Sequence, residues 1–415
     1  MPMAGTLPGV FGDSGARQCD LRRLPPVERP AAALAAMDIS EYYGSDSGGV
    51  RTYLHEKARY VARRDGLRQV YVLPGAEHRV QSGDGARVYR VRAPRIPFQD
   101  TYRLLLDREA VAAIIAHERP DIIEVGSAYG APWVAAGAAR KLGIPVTWYF
   151  HAHLPRIIAP GAHASPVLRR AAASIAVRYI RAIARRMQLV LVGSESVRRD
   201  LHGYGITHVK VVPLGVDTET FDPSRRAARA ETLARLALPD APLVLYTGRF
   251  TAEKQLEAAV SAWRQLRTPD AVLVLAGAGP RGDALRAAAG PRIRILPFEA
   301  DRDKLADLYA AADLYLAPGP AETFGLSAHE AMAAGTPVLS VDAGAVADAV
   351  RAARCGGTWP LGDGAAMAAM IDKLLQAAPE MRVAAREHVM QYHQWATVFD
   401  RLFAIHARLK AGSYS

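Results

Sequence analysis

The sequence predicts an α/β protein built from two doubly wound parallel sheets, one in each half of the chain. Short apolar runs alternate with alanine-rich helical stretches, which is the pattern of repeated strand–helix–strand units. The 415 residues are too many for one compact core and suit two domains. With 50% hydrophobic and 22% charged residues, the composition is that of an ordinary globular protein.

Eleven apolar runs are predicted to be strands. They are AAALAAMDIS, QVYVLPG, IIEVG, IPVTWYF and LVLVGS in the first half, and VKVVPL, PLVLYTG, AVLVLAG, IRILPF, DLYLAP and TPVLSV in the second. Helices are predicted between them, for example over 253–267, 302–311, 326–334 and 345–353. Because doubly wound sheets bind ligands beyond the carboxyl ends of their strands, the residues after each strand are the candidates for function.

The predicted organisation has four parts. They are a disordered tail (1–30), a first sheet domain (31–205), a second sheet domain (206–392) and a terminal helix (393–415). The tail is rich in Pro, Gly and Arg and has no apolar segment of a secretory signal. No uncharged apolar run reaches the roughly 18 residues that span a bilayer. Two widely separated cysteines indicate neither a disulfide framework nor a metal site, and a reduced, cytoplasmic setting is expected.

The net charge of +11 lies entirely in the first half. Residues 1–205 carry 29 Lys+Arg and 18 Asp+Glu, while the remainder balances 23 against 23. Six arginines and no acid fall within residues 166–187, where Ile175, Tyr179, Ile183 and Met187 recur at helical spacing. Such a helix can rest on anionic lipid, or it can be a domain helix with a solvated basic face. Exposed aromatics do not interleave with the basic residues, so nucleic acid is not an expected partner.

Two glutamates in the second half follow the strand DLYLAP. Glu322 lies in the loop GPAETFG, and Glu330 lies eight residues later, on the helix that this loop opens. The turn between them is expected to leave free the backbone N–H groups of Thr323, Phe324, Gly325 and Leu326. A helix N-terminus of this kind binds phosphate. The alternative is that the glutamates only complement the helix dipole.

A pair of cations and a glycine turn follow two other strands of the second half. Arg249 and Lys254 come after PLVLYTG, where fixed positive charge can stabilise a departing diphosphate without a metal. Gly277 and Gly279 come after AVLVLAG and, with Gly282, also fit the dinucleotide spacing G-x-G-x-x-G. A nicotinamide dehydrogenase is therefore an alternative. The turn follows the second strand of its domain, whereas the dinucleotide turn normally follows the first.

The first half contributes two further elements. Gly48 and Gly49, in the turn DSGGV before a helix, allow a ligand to approach the backbone closely or form an ordinary flexible turn. His151 and His153 follow the strand IPVTWYF in the segment WYFHAHLPR, and strand-end histidines of this kind are either structural or functional. The segment Asp301-Arg302-Asp303 begins a helix, and its aspartates are interpreted as capping residues rather than metal ligands.

Taken together, these elements resemble the retaining glycosyltransferases of family 4, which have the GT-B fold of two facing Rossmann-like domains with a cleft between them. Glu322 and Glu330 match the E-x(7)-E element of that family, and Arg249 and Lys254 match its G-R-x(4)-K element. The glycines match its G-x-G-P and G-G-V turns. The segment after His151 is similar to that of members that glycosylate lipids, including hexosyl-, mannosyl- and sulfoquinovosyltransferases, although His153 replaces their usual Asn or Asp.

The resemblance implies a role for each matching residue. Glu330 would accept hydrogen bonds from the ribose hydroxyls, and Glu322 from the hydroxyls of the transferred sugar. The implied catalytic residues are His151, Glu322, Arg249 and Lys254. The implied donor-binding residues are Gly48, Gly49, Arg249, Lys254, Gly277, Gly279, Glu322, Thr323, Phe324, Gly325, Leu326 and Glu330. The terminal helix would pack back on the first domain. No metal and no cofactor are expected, because the nucleoside-diphosphate sugar is a co-substrate.

The expected activity is transfer of a hexose from a UDP- or GDP-sugar to an acceptor hydroxyl on a membrane lipid or a glycan, with retention of configuration. The expected location is the cytoplasm, with peripheral binding to the inner face of the cell membrane left open. One alternative is a nucleotide-sugar epimerase, which needs the same nucleotide site but no acceptor. Another is a sugar-binding protein without activity, which the intact set of charged residues disfavours.

Overall fold

The computed structural model describes residues 11, 17–22, 24, 34–44, 48–83, 86–96, 99–157, 165–376 and 380–413. The chain divides into two compact units. The first unit comprises Met1–Gly193, Arg198–Val212 and Val398–Ser415, and the second comprises Ser194–Val197 and Pro213–Thr397. The boundary predicted at 205/206 lies inside the segment that the first unit holds up to Val212.

The first unit contains eleven strands and six helices within the described residues. The strands are β1 (Arg17–Gln18), β2 (Leu34–Ile39), β3 (Leu67–Gly75), β4 (Arg79–Gly83), β5 (Ala86–Arg92), β6 (Arg95–Ile96), β7 (Gln99–Arg103), β8 (Ile122–Val125), β9 (Val146–Tyr149), β10 (Leu189–Val192) and β11 (Val209–Val211). The helices are α1 (Gly49–Ala62), α2 (Arg108–Glu118), α3 (Ala131–Leu142), α4 (Leu154–Ile157), α5 (Pro166–Ala184) and α6 (Glu195–Gly203), whose first residues belong to the second unit.

Nine of these strands form one sheet in the order β1-β4-β5-β3-β2-β8-β9-β10-β11. From β2 the chain winds outward to β3 and β5 on one side, and from β8 to β11 on the other, so β2 and β8 flank the topological switch point. The antiparallel strands β4 and β5 were not among the predicted strands, because RVQSG and ARVYRVR mix arginines into the apolar pattern. Strands β8, β9 and β10 are buried at every residue, as expected where helices cover both faces.

The described part of the predicted disordered tail makes ordered contacts. Arg17–Gln18 pairs with β4, and Leu21 is buried. The ring of Phe11 stacks on His55 with centroids 4.3 Å apart and 7° between the planes. The sequence predicts disorder over residues 1–30 because the segment is rich in Pro, Gly and Arg, but single apolar side chains suffice to attach a segment to a sheet edge.

Helix α5 is buried along its second half and exposed along its first. Ile183 and Met187 pack into the first unit, whereas Ile175 is 61% exposed. The sequence prediction placed these three on one face with Tyr179, and that is wrong for Ile175. Successive steps of four residues overshoot a helical turn by about 40° each, so the series turns away from the buried face. Val167 and Leu168 are also exposed, at 75% and 55%.

The last helix, α15 (Trp395–Lys410), contributes its residues from Val398 onward to the first unit. The ring of Phe399 lies 5.4 Å from that of Tyr60, and the ring of Phe403 stacks on Tyr60 at 5.6 Å. The Tyr60 hydroxyl donates to Asp400 (2.5 Å). These contacts hold the end of the chain against α1.

The second unit contains six strands and, besides α15, eight helices within the described residues. The strands are β12 (Leu243–Thr247), β13 (Val272–Ala276), β14 (Ile293–Leu296), β15 (Leu314–Ala317), β16 (Val338–Val341) and β17 (Gly356–Trp359). The helices are α7 (Arg229–Arg235), α8 (Leu256–Ala262), α9 (Gly282–Ala288), α10 (Arg302–Ala311), α11 (Leu326–Ala333), α12 (Gly344–Ala353), α13 (Gly364–Leu375) and α14 (Glu380–Tyr392). The helix predicted over 253–267 is instead α8 flanked by 3₁₀ turns at Ala252–Lys254 and Trp263–Gln265.

The second sheet is wholly parallel, in the order β14-β13-β12-β15-β16-β17. The chain starts at β12, winds out to β14, and returns to β15 on the other side of β12. This is the doubly wound order whose switch point lies between the first and fourth strands. Residues after β12 and β15 therefore share the position at which such sheets bind ligands. None of the helices among the described residues combines the length and apolarity needed to cross a membrane.

Candidate active site

The first element of the site follows β12. Gly248 takes a φ of +142°, and its N–H donates to the carbonyl of Ala276 (3.0 Å). The hydroxyl of Tyr246 donates to the carbonyl of Arg249 (3.0 Å). The Arg249 side chain is exposed, and no carboxylate of the described residues lies within 4 Å of its guanidinium. The turn is thus fixed while its cation remains accessible to an anion.

Lys254 and Glu322 lie together although 68 residues separate them. Lys254 Nζ forms an ion pair with Oε1 of Glu322, and the two side chains are 19% and 29% exposed. The contact arises because β12 and β15 are neighbours and their carboxyl ends meet. The loops are also close at the backbone, since a Cβ on Gly319 would lie 3.2 Å from the carbonyl oxygen of Glu253. The structure therefore brings two of the four predicted catalytic residues into contact.

Gly277 and Gly279 pack the loop after β13 against the loop after β12. Gly277 has a φ of +156°, and a Cβ there would lie 1.9 Å from the carbonyl oxygen of Gly248. Gly279 has a φ of +153°, and a Cβ there would lie 2.6 Å from the carbonyl oxygen of Phe250. The N–H of Phe250 donates to the carbonyl of Ala278 (2.8 Å). The glycines are needed for this close approach, which sets the position of the Arg249 turn.

The loop before α11 presents backbone N–H groups at a helix N-terminus. Gly325 is the N-cap with a φ of +85°, and a Cβ there would lie 2.2 Å from Val346 Cγ2. The first helical bonds run from the N–H groups of Ala328 and His329 to the Gly325 carbonyl (3.0 and 3.2 Å). Within the described residues, the N–H groups of Phe324, Gly325 and Leu326 have no acceptor. Thr323, the fourth predicted donor, is partly exposed.

The Phe324 side chain is a support for this loop rather than a surface group. It is buried, and its ring stacks on that of His329 at 4.0 Å with 11° between the planes. The ring of His393 lies 5.4 Å from Phe324, and Nδ1 of His329 is 3.0 Å from the Gly325 carbonyl oxygen. Burial lowers the pKa of His329 to about 4, so this imidazole is neutral near pH 7. Only the backbone of Phe324 is available to a ligand.

Glu330 is buried beside the end of β12. The Tyr309 hydroxyl donates to its Oε2 (3.2 Å) and is also hydrogen-bonded to the Thr247 hydroxyl. Arg302 Nη1 lies 3.7 Å from Oε1. Burial raises the pKa of Glu330 to about 7, against the opposing effects of Arg302 and Tyr309. A carboxylate held in this way is a strong hydrogen-bond acceptor once it is ionised.

Arg302 is a partner of Glu330 that the sequence did not reveal. Asp301 is the N-cap predicted there and accepts from the N–H groups of Asp303 (3.0 Å) and Lys304 (3.3 Å). The intervening Arg302 reaches past the cap to Glu330 and is 40% exposed. A residue inside an apparent capping pattern gives no signal of a second role. The partnership depends on how α10 lies against α11.

In the first unit, His151 follows β9. Its ring stacks on that of Tyr149, with centroids 4.2 Å apart and 8° between the planes, and lies 5.4 Å from the ring of Tyr53. Gly126, at the end of β8, would place a Cβ 3.7 Å from the imidazole. Burial lowers the pKa of His151 to about 4, so the neutral ring predominates near pH 7.

Gly48 and Gly49 begin α1, after β2 and therefore at the switch point of the first sheet. Gly48 has a φ of −77°, and a Cβ there would meet no atom within 4 Å. Packing against the described residues therefore does not require glycine at residue 48. Asp46 and Ser47, the other polar residues of the predicted turn, lie outside the described residues.

His153 has a partner of its own. It is buried, its Nε2 lies 3.0 Å from Oδ2 of Asp200, and Arg156 pairs with the same carboxylate (2.7 Å). These contacts join the segment after β9 to α6. His153 is thus a structural link between these two elements.

The predicted residues therefore fall into two groups. In the second unit, Arg249, Lys254, Glu322 and the amides of the α11 terminus lie at the switch point, with Glu330 behind them. In the first unit, His151 and the Gly48 turn lie at the carboxyl ends of the sheet. No cluster of three or more His, Cys, Asp or Glu side chains suited to a metal occurs among the described residues.

Comparisons with known proteins decide the family. The model described as "Glycosyltransferase Family 4" matches residues 47–220, and that described as "Glycosyl transferases group 1" matches residues 241–377. A GDP-mannose-dependent alpha-(1-6)-phosphatidylinositol dimannoside mannosyltransferase of Mycobacterium tuberculosis is 33% identical over 336 residues, which are 76% of this chain and 84% of that protein. The chain belongs to glycosyltransferase family 4. The dehydrogenase alternative is thereby removed.

A second relative is also a glycosyltransferase by name, and solved structures have the same fold. A sulfoquinovosyl transferase of Arabidopsis thaliana is 30% identical over 270 residues, which are 64% of this chain and 51% of that protein. Sucrose-phosphate synthase of Thermosynechococcus elongatus superposes with a TM-score of 0.74 at 22% identity, over 91% of this chain and 100% of that one. The Anabaena protein HepE, solved in complex with UDP, superposes with a TM-score of 0.69 at 19% identity, over 90% of this chain and 99% of that one. These likenesses confirm the predicted GT-B fold.

Proposed function

We propose that this family 4 glycosyltransferase moves a hexose from a nucleoside-diphosphate sugar to a hydroxyl of a lipid-linked acceptor, with retention of the anomeric configuration and without a metal. One observation carries the proposal. At the switch point of the second sheet, the accessible guanidinium of Arg249 and the Lys254–Glu322 pair lie beside a helix N-terminus with unpaired amides. This is an anion site next to a carboxylate, as a sugar diphosphate requires.

The chemistry follows from these charges. The bond between the anomeric carbon and the diphosphate oxygen breaks, and its electron pair stays on the leaving oxygen. Arg249, Lys254 and the α11 amides stabilise that negative charge, which is larger in the transition state than in the bound donor. The acceptor oxygen forms the new bond on the same face, and its proton passes to the leaving diphosphate. Glu322 and His151 are proposed to hold hydroxyls of the transferred sugar.

GDP-mannose is the first donor to test. The Mycobacterium tuberculosis relative and a GDP-mannose-dependent alpha-mannosyltransferase of Mycolicibacterium smegmatis are named for this donor. The latter is 30% identical over 322 residues, which are 77% of this chain and 82% of that protein. Each GDP- or UDP-sugar should first be screened for thermal stabilisation of the protein.

The deciding assay incubates the protein with each stabilising donor and with phosphatidylinositol-type lipids or oligosaccharides, followed by mass spectrometry and anomeric NMR of the product. We expect an α-linked product from an α-linked donor, formed at an unchanged rate in EDTA. An inverted product would refute retention, and activity lost in EDTA but restored by Mn²⁺ or Mg²⁺ would refute metal independence. Interconversion of the free donor without acceptor would identify an epimerase instead.

A lipid-linked acceptor is favoured by the exposed half of α5. Val167, Leu168 and Ile175 are exposed on it, and the exposed arginines Arg169, Arg170 and Arg178 lie on the same helix. An amphipathic helix with apolar side chains and arginines binds the interface of an anionic bilayer. Each basic residue near such a surface contributes up to about 1 kcal/mol, and the attraction weakens with salt.

Flotation with phosphatidylglycerol liposomes tests this surface. We expect binding at low salt that falls as salt rises, no binding to phosphatidylcholine alone, and loss of binding when Arg169, Arg170 and Arg178 are changed to Glu. The matched control changes three exposed basic residues of the second unit, Arg264, Arg267 and Lys373, to Glu and so alters the net charge equally. Binding that is absent at low salt, or equally reduced by both triple variants, would favour a soluble acceptor.

A further inference from the structure

A cluster of ionisable side chains lies buried in the first unit, next to His151. Lys57 Nζ contacts both oxygens of Asp38 (2.7 and 3.0 Å) and Oε1 of Glu124 (3.2 Å). His406 Nε2 lies 3.5 Å from Oε2 of Glu124. All four side chains are at most 2% exposed. The cluster joins β2, α1 and β8 to the last helix, α15.

Stability alone is a poor explanation for this cluster. Two carboxylates share one ammonium, so the cluster has a net negative charge unless one of its groups takes up a further proton. Taking each of these ions out of water is unfavourable, and apolar side chains of similar volume often stabilise the fold as well or better. Buried ionisable groups with a specific charge partner mark a candidate functional site. The nearest candidate functional residue is His151.

Two tyrosines connect the cluster to the His151 ring. The Tyr53 hydroxyl donates to Oε1 of Glu124 (2.8 Å), and its ring is tilted against that of Tyr149 (5.2 Å) as well as lying edge-on to His151 (5.4 Å). The Tyr149 hydroxyl donates to the carbonyl of Val212 (2.5 Å). The imidazole therefore lies on two rings whose hydroxyl ends are both anchored. Movement of Glu124 would release one of the two.

The last helix completes the support of Glu124. His406 is fully buried, and it brings its Nε2 to the Glu124 oxygen that neither Lys57 nor Tyr53 contacts. Phe403 packs on His406 (5.6 Å), and Phe399 packs on Tyr53 (5.6 Å). Burial lowers the pKa of His406, so its neutral ring contacts Glu124 without adding a charge.

We propose that His406 is a positioning residue for sugar transfer, holding the His151 imidazole in place through Glu124 and Tyr53. The activity part of this inference rests on the proposed function, because His151 is the residue proposed to contact the transferred sugar. The positioning part rests on the geometry of the first unit alone. A segment near the end of the chain thus acts on the site at the end of β9.

The test compares His406→Phe, which removes the polar ring nitrogen next to Glu124 but keeps an aromatic ring, with His406→Gln, which keeps a polar N–H group at a similar reach. We expect His406→Phe to lower kcat about tenfold or more, with little change in KM for the donor sugar or in Kd for its nucleoside diphosphate. The kcat of His406→Gln should stay within about threefold of the wild-type value. Histidine NMR of the protein should show the His151 ring signals moved in His406→Phe and restored in His406→Gln.

His117→Phe is the matched control, because His117 is also a buried histidine beside a glutamate, 3.9 Å from Glu118, but packs on Tyr89. It should leave kcat and the His151 signals unchanged. If His406→Phe does not fold, Tyr53→Phe removes the hydroxyl bonded to Glu124 and is expected to give the same two effects.

Unchanged kcat and unchanged His151 signals in the folded variant would overturn the inference. So would an equal loss of kcat in the Phe and Gln variants without movement of the His151 signals, since that pattern indicates a structural role only. A wild-type protein without transferase activity would refute the proposed function, while the NMR comparison would still decide the positioning.

Discussion

Arg249→Ala should lower kcat by about 100-fold to 1,000-fold, the loss typical of one fixed donor at a developing negative charge. Arg249 is exposed at the end of β12, with no carboxylate of the described residues within 4 Å, so its charge is available to the leaving diphosphate. Its side chain is not in the core, and the melting temperature should change little. Steady-state rates with saturating donor measure the effect.

Lys254→Ala should lower kcat by a similar factor, and it also removes the ion-pair partner of Glu322. Both residues act on the same charge, so the double variant should lose less than the product of the single losses. Arg264→Ala, at an exposed position of the same unit, is the control and should have normal kcat. Near-normal turnover in the double variant would show that the site lies elsewhere.

Binding of the donor's nucleoside diphosphate should strengthen about tenfold between pH 6 and pH 8. Burial raises the pKa of Glu330 to about 7, so about a tenth of this carboxyl is ionised at pH 6. If the ribose hydroxyls donate to the carboxylate, the nucleotide binds the ionised form and lowers the pKa of Glu330. Binding then releases a proton, and affinity rises with pH until ionisation is complete.

The folding stability of the ligand-free protein changes with pH in the opposite direction to the binding. A carboxyl whose folded-state pKa is raised contributes stability below its ordinary pKa of about 4.5, and this stability is lost as the pH rises through about 7. Ligand-free melting therefore separates the two effects. Both should disappear in Glu330→Gln, which cannot ionise.

Calorimetry with GDP and with UDP at pH 6, 7 and 8 measures the binding. Glu330→Gln should bind weakly at every pH, with a flat profile. Glu322→Gln should bind the free diphosphate with the wild-type pH profile but transfer sugar poorly, because its carboxylate is proposed to hold the sugar. A flat wild-type profile, or equal binding and activity in all three proteins, would contradict this division of roles.

The second half of the chain could be predicted well because its signals are local. Each strand of the second sheet except β17, the segment GGTW, is a predicted short apolar run, and the residues that follow it are read directly from the sequence. The run VKVVPL, predicted among the strands of this half, is instead β11 of the first sheet. The predicted helix over 302–311 is α10, and that over 326–334 is α11 with a difference of one residue. Contact between Lys254 and Glu322 required only that β12 and β15 be neighbours, which the doubly wound order provides.

The remaining features depend on packing between distant elements. Arg302 reaches Glu330 only because α10 lies against α11, and Lys57 meets Asp38 and Glu124 only inside the assembled first sheet. Such pairs leave no spacing in the sequence. Strands β4 and β5 were missed because their arginines obscure the apolar alternation, and Ile175 was misplaced because a four-residue repeat drifts around a helix.

The discontinuity of the first unit has a consequence for how the chain folds. The second unit is nearly continuous, and all but four of its residues lie within Pro213–Thr397, so it can acquire its contacts as one stretch of chain. The first unit needs Val398–Ser415 before α1 has its covering aromatic rings and before Glu124 meets His406. During synthesis, the apolar surface of α1 that Val398–Ser415 covers is therefore expected to stay exposed to solvent until the second unit has been made. We therefore expect the first unit to be completed last, with this surface open to aggregation and proteolysis until then.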